Sequence, residues 1–151
     1  MLLLECLPDE TLARKLGCER RTLRHLAGKS RICKHLAQSE SNIGLLDEDP
    51  KALQPPYLDD LQVASEEHEI RVYHDQKGNH RIVVLRPRFE EWLIRTTEIA
   101  GIKMSDFGLS SRGNDLHREI NSRIHNLERL LDELMRQKNP RLIYLKASLG
   151  L

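Results

Sequence analysis

The chain has 151 residues, 39% apolar and 31% charged, with a formal net charge of +1. That is one ordinary domain with enough apolar residues for a core. It excludes a disordered tail and a protein that coats nucleic acid by bulk charge alone. No apolar run approaches the roughly 18 residues of a membrane span, and Met1-Leu2-Leu3-Leu4 meets Glu5 too soon to be a signal peptide. Cys6, Cys18 and Cys33 are odd in number and lack CxxC spacing, so a zinc knuckle is excluded. A reduced, cytoplasmic protein with no membrane partner is expected.

In chain order, Leu2-Leu3-Leu4 reads as a short buried strand that stops at Glu5. Asp9 is expected to cap a helix over about residues 10–16, with Leu12 and Leu16 on one face and Gly17 past its end. Residues 22–26 are compatible with strand or helix. Gly28-Lys29-Ser30 follows, with Ser30 as the expected cap of a helix that carries Ile32, Cys33 and Leu36 on its apolar side. Residues 42–46 form a second buried strand, which runs into Asp47-Glu48-Asp49-Pro50. Residues 50–68 read as a surface loop with a helical turn. Residues 70–74 and 81–85 read as an antiparallel hairpin around Asp75-Gln76-Lys77-Gly78-Asn79. Pro87 opens a helix with Phe89, Trp92, Leu93 and Ile99 on its apolar stripe, ending at Gly101. Leu116, Ile120, Ile124, Leu127, Leu131 and Leu134 then recur at steps of four and three. The period predicts one amphipathic helix of about six turns over 115–138. Pro140 separates it from a last apolar piece, 142–149. Strands alternating with helices predict an α/β domain with parallel core strands, flanking helices and an antiparallel hairpin. The division expected is a domain over 1–101 and a C-terminal helical extension over 102–151, packed on that domain or on a partner.

The near-neutral total hides two blocks. From Glu10 to Leu36, eight Lys/Arg stand against Glu10 and Glu19, a net of +6. From Ala37 to Ile70, nine acids stand against Lys51, a net of −8. A basic block beside an acidic one suits a site that holds phosphate and cations together. In the basic block, Arg20, Arg21, Arg24, Lys29, Arg31 and Lys34 are the candidates for contact with a nucleic-acid backbone. Lys29, at a helix N-terminus, is placed to meet a phosphate. Gly28-Lys29-Ser30 is not a Walker A loop, because Leu23 stands where its first Gly would be.

The main chemical signal is acids at strand ends. An extended backbone past Leu46 would put Asp47 and Asp49 on one side. A neighbouring first strand would bring Glu5 to the same carboxyl edge, where open α/β sheets bind ligands. Glu5, Asp47 and Asp49 are then expected within reach of one hard divalent cation, whose charge relieves their repulsion. No histidine pattern suits a metal, and the absence of a GxSxG turn leaves a serine hydrolase unsupported.

Glu5 at the end of an apolar first strand, Asp9 four residues on, and Asp47-x-Asp49 after a later strand together resemble the Toprim domain of topoisomerases, primases and small nucleases. The resemblance covers about residues 1–100, with Cys6 where the family often has Gly. Gly28-Lys29-Ser30 and Pro87-Arg88-Phe89-Glu90-Glu91-Trp92 are similar to elements of small stand-alone members and of the nuclease part of overcoming-lysogenisation-defect proteins. It implies a Toprim-like sheet. It also implies Mg²⁺ or Mn²⁺ held by Glu5, Asp9, Asp47 and Asp49, with Glu90 behind them. The catalytic set would be Glu5, Asp47, Asp49 and Lys29, and the reaction phosphodiester hydrolysis in DNA or RNA. By the same analogy the chain would serve an ATPase-associated defence or repair system. The alternative is a non-catalytic assembly or sensing subunit that docks an ATPase through the C-terminal helix. The long apolar stripe exceeds what a few short strands need as cover, so an ATPase partner chain or a homo-oligomer is expected to take the surplus.

Overall fold

The computed structural model describes residues 1–151. Its strands are β1 Leu2–Leu4, β2 Leu23–His25, β3 Ile43–Asp47, β4 Gln62–Glu67, β5 Ile70–Asp75 and β6 His80–Leu85. Its helices are α1 Leu7–Lys15, α2 Lys29–Leu36, α3 Phe89–Ala100, α4 Gly113–Glu119, α5 Ile124–Arg136 and α6 Pro140–Ser148. One sheet takes the order β2-β1-β3-β6-β5-β4. The first four strands of that order are parallel, with Leu2 opposite both Leu23 and Ile43, and Asp47 opposite Leu85. β5 and β4 close the sheet antiparallel. The expected α/β architecture is therefore present, with a parallel core, flanking helices and the hairpin of β5 and β6. No helix is long and apolar enough to cross a membrane.

Period-two alternation assigns the two faces. Leu2, Leu4, Leu45, Val83 and Leu85 point into the larger core, with Leu12 and Leu16 from α1, Phe89, Trp92 and Leu93 from α3, and leucines from α4, α5 and α6. Leu3, Leu46, Ile82 and Val84 point to the other face. There Ile32, Cys33 and Leu36 of α2 cover them, with Tyr57, Leu58 and Leu61 from the connection after β3. The chain thus leaves β1 toward one face and β3 toward the other. Adjacent strands that part this way open a crevice at their carboxyl ends.

Several local expectations are corrected. The helix over 115–138 is not continuous. A 3-10 turn at Ile120–Ser122 and a non-helical Arg123 separate α4 from α5. Asn121 and Ser122 are poor helix formers, and the Ser122 hydroxyl bonds back to the Glu119 carbonyl, a local alternative to the helical ladder. Nor does the apolar stripe have surplus. Leu116, Ile120, Leu127, Leu131 and Leu134 are all buried in the same core as β1, α1 and α3. The break lets the chain fold back over its own domain. Residues 62–67, expected as loop, form β4. This edge strand is exposed at every position, so it has no buried side to imprint an alternation on the sequence. Ser30 does not cap α2. Gly28 does, at φ +95°, a left-handed conformation that suits glycine. Asp9 does not cap α1 either; Cys6 precedes the helix and Asp9 lies in its first turn.

Candidate active site

The carboxyl edge of the parallel strands collects the sequence's candidate acids. Three buried leucines carry Glu5 to the end of β1, and Ile43-Gly44-Leu45-Leu46 carry Asp47 to the end of β3. The two strands are neighbours, and the Asp47 backbone N–H donates to Glu5 Oε1 at 3.4 Å. Glu5 follows Leu3 in alternation and leans to the α2 face, while Asp47 follows Leu45 to the α1 face.

Asp9 is buried in the first turn of α1. Its Oδ2 accepts from the Cys6 N–H at 3.2 Å, the Glu5 N–H at 3.3 Å and the Cys6 thiol at 3.2 Å. Those bonds fold the β1–α1 corner around one carboxylate and leave Oδ1 out of them. Glu90 reaches the group from the first turn of α3, where Phe89 brings its backbone N–H to the Asp47 carboxylate.

Burial and proximity show in the electrostatics. Asp47 is held well above the usual carboxylate range, first by desolvation, then by the charges of Asp9, Glu90 and Glu5. Asp9 is pushed up to about 7, again first by desolvation, with Glu5 adding to it against the hydrogen bonds from Cys6 and Glu5. Glu5 is raised by burial, opposed by the Asp47 backbone N–H and by Lys29. Glu5, Asp9 and Asp47 therefore crowd one edge, where each is costly to ionise, and Glu90 adds its charge at Asp47.

Asp49 departs from the expected geometry. Its φ of +42° ends the extended run, so it does not share a side with Asp47 through strand alternation. Its N–H bonds the Pro87 carbonyl at 2.8 Å, which ties the Asp47-Glu48-Asp49 corner to the β6–α3 connection. It still adds repulsion at Glu5. The structure brings Glu5 and Asp47 together and sets Asp49 beyond the strand; no three acids are drawn into a single ligand shell. The donor set is nonetheless uniform: carboxylate oxygens from Glu5, Asp9 and Asp47, hard ligands whose mutual repulsion a divalent cation would offset. That chemistry fits Mg²⁺ or Mn²⁺ and fits no thiolate or imidazole metal.

The basic residues divide. Lys29 points to the acids. Its ammonium donates to the Glu48 carbonyl and to Gln54 Oε1 at 2.9 Å, and it lowers the proton affinity of Glu5. Arg20 and Arg21 stand on a 3-10 turn, Arg24 on the edge strand β2, and Arg31 and Lys34 on the outer side of α2; all five are exposed. Arg21 is paired with Glu19. Arg20 also lines a groove of about 520 Å³ at the far end of α1, beside Arg14 and Lys15.

Three further contacts form at this edge. Glu48 pairs with Arg86 across the strand ends. Arg88 binds Glu91 at 2.9 Å and Asn114 at 3.1 Å, joining α3 to α4. His117 Nδ1 lies 2.8 Å from Glu90 Oε1. The spacing of 27 residues between Glu90 and His117 carries no periodic signal, so only the fold reveals the pair. Comparison with family models, with curated proteins and with solved structures returns no match to this chain.

Proposed function

We propose that this chain is a divalent-cation-dependent nuclease of Toprim-like organisation that hydrolyses phosphodiester bonds. The observation that carries the reading is the pairing of Glu5 with Asp47 on the ends of adjacent parallel strands, with Asp9 and Glu90 behind them. Buried acids that raise one another's proton affinity are a poor way to stabilise a fold and a good way to hold a cation. Glu5, Asp47 and Oδ1 of Asp9 would hold Mg²⁺ or Mn²⁺, and Asp49 would complete the set from its loop. The bound ion would supply charge neutralisation at the phosphate and a more acidic water.

The protein's own groups do the rest. Lys29 offers its ammonium to a non-bridging phosphate oxygen beside Glu5. Arg20, Arg21, Arg24, Arg31 and Lys34 hold the sugar–phosphate backbone without reading bases. Cys6, Cys18 and Cys33 are free thiols, in keeping with a reducing cytoplasm. The setting that goes with this reading is an ATPase-associated defence or repair system, with DNA or RNA as substrate.

A cleavage assay with Mg²⁺ or Mn²⁺, run on wild type beside Asp47→Ala, tests the reading. Cleavage by wild type that Asp47→Ala abolishes, with circular dichroism unchanged, supports it. Cleavage that survives the substitution assigns the activity elsewhere, and no cleavage of either DNA or RNA by wild type overturns it.

A further inference from the structure

The pair formed by Glu90 and His117 lies outside the acids assigned to the cation, and its construction is specific. Glu90 is 5% exposed and within electrostatic reach of Asp47, whereas the His117 side chain is 65% exposed. The 2.8 Å contact is between Glu90 Oε1 and His117 Nδ1. A carboxylate only accepts, so Nδ1 carries the proton and Nε2 is left as the exchanging nitrogen. The helix that bears His117 is itself held at the N-terminal end of α3. Arg88, just before α3, binds Glu91 on α3 and Asn114 on α4. The charged groups facing the imidazole are Glu90 and Glu91 from α3; Arg88 is engaged with Glu91, and Arg118 on α4 with Asp115. Buried carboxylate, oriented imidazole and free outer nitrogen make up the arrangement of a proton-transfer pair.

We propose that His117 is the general acid of the nuclease reaction and that Glu90 is its positioning residue; the proposal rests on the nuclease reading above. In the step, a water oxygen forms a bond to phosphorus and gives its proton to solvent. The bond from phosphorus to the leaving oxygen breaks, and its electron pair stays on that oxygen. Nε2–H of the imidazolium protonates the leaving oxygen, and neutral His117 is recharged from solvent. No redox change occurs. The buried Glu90 carboxylate accepts from Nδ1–H, which fixes the ring and keeps Nδ1 from competing for the leaving group.

The test uses the full chain with Mn²⁺ and two substrates: an unmodified oligonucleotide, whose leaving alkoxide needs a proton, and bis-p-nitrophenyl phosphate, whose leaving phenolate does not. His117→Ala and His117→Asn are expected to slow oligonucleotide cleavage by about 100-fold or more. The activated ester should slow by less than about 5-fold, and the alkaline limb of the oligonucleotide profile should disappear. Glu90→Gln should slow the oligonucleotide more than the activated ester. Nitrogen-15 spectra of metal-free wild type should show the Nδ1–H form of His117, lost in Glu90→Gln. Wild type active on both substrates, with His117→Ala equally active on the oligonucleotide, overturns the proposal and leaves the nuclease reading intact. Equal losses on both substrates also overturn it, because they mark a binding or structural role. Wild type inactive on both overturns the nuclease reading and the general-acid role with it.

Discussion

The acid cluster and the basic block carry opposite charge, and the fold treats them oppositely. Glu5, Asp9, Asp47 and Glu90 stand at the ends of buried strands or in the first turns of helices packed on them. Their positions are therefore set by the core, and burial changes their chemistry. Arg20, Arg21, Arg24, Arg31 and Lys34 stand on exposed surface, where solvent screens them and side-chain freedom blurs their placement. Charge that the core holds in place can perform a step. Charge left in water can steer and retain a polyanion, with little dependence on any one residue.

The largest expected effect tests whether the core does hold the acids. Leu127 and Leu131 of α5 pack in the core that contains Leu12 and Leu16 of α1 and the buried ends of β1 and β3. Replacing both with Glu should cost more than about 4 kcal/mol and unfold the chain, because two buried apolar side chains give way to two buried charges. Circular dichroism reads this directly. A variant that stays folded but loses an oligomer in sedimentation would instead make α5 an interface.

Next comes a separation of stability from activity within the cluster. Asp47→Asn should lower cleavage by at least about 10³-fold while raising the melting temperature of chelated protein at pH 8, because a buried like charge is removed. A lower melting temperature would mean that Asp47 contributes more through its bond with the Phe89 N–H than it costs by repulsion.

The third expectation is a pH dependence. Asp9 titrates near 7 in the folded chain against an ordinary value of 3.8, and Asp47 and Glu5 are also raised. A carboxylate raised on folding contributes stability that is fully present below its unfolded value. That stability is lost as pH rises through its folded value. In chelator the melting temperature should therefore fall by several degrees between pH 5 and pH 8. Asp9→Asn should flatten that slope, and Mg²⁺ at pH 8 should restore the loss in wild type. A melting temperature that rises over this interval would contradict the burial of these acids.

The smallest expected effects belong to the basic block. Arg24→Ala or Lys34→Ala should leave the melting temperature within about a degree. Each should reduce the slope of log affinity against log salt by about one, equally for unrelated nucleic-acid sequences. A change confined to one sequence would turn that residue into a reader of bases.

Much of the scaffold was legible in the chain, because it depends on local pattern. Leu2-Leu3-Leu4 before Glu5 and the apolar run before Asp47 are buried strands because continuous apolar runs have no polar side to show water. Gly101 ends α3 in the left-handed conformation its position suggested. Once two such strands are neighbours and parallel, Glu5 and Asp47 must share an edge.

The remainder depended on contacts between distant segments. β4 has no buried side, so its sequence carries no mark of the strand that pairing with β5 creates. The stripe over 116–134 had the period of a single helix. The break at Ile120–Arg123 and the choice of the chain's own sheet as its cover came from packing against α1 and α3. The Glu90–His117 pair arises because Arg88 and Asn114 join two helices whose separation in sequence follows no period. Local pattern governs which residues seek burial and at what spacing. Which partner buries them, and which acids consequently share one dry edge, is decided only when the whole chain closes on itself, because burial and repulsion depend on neighbours that the sequence places far apart.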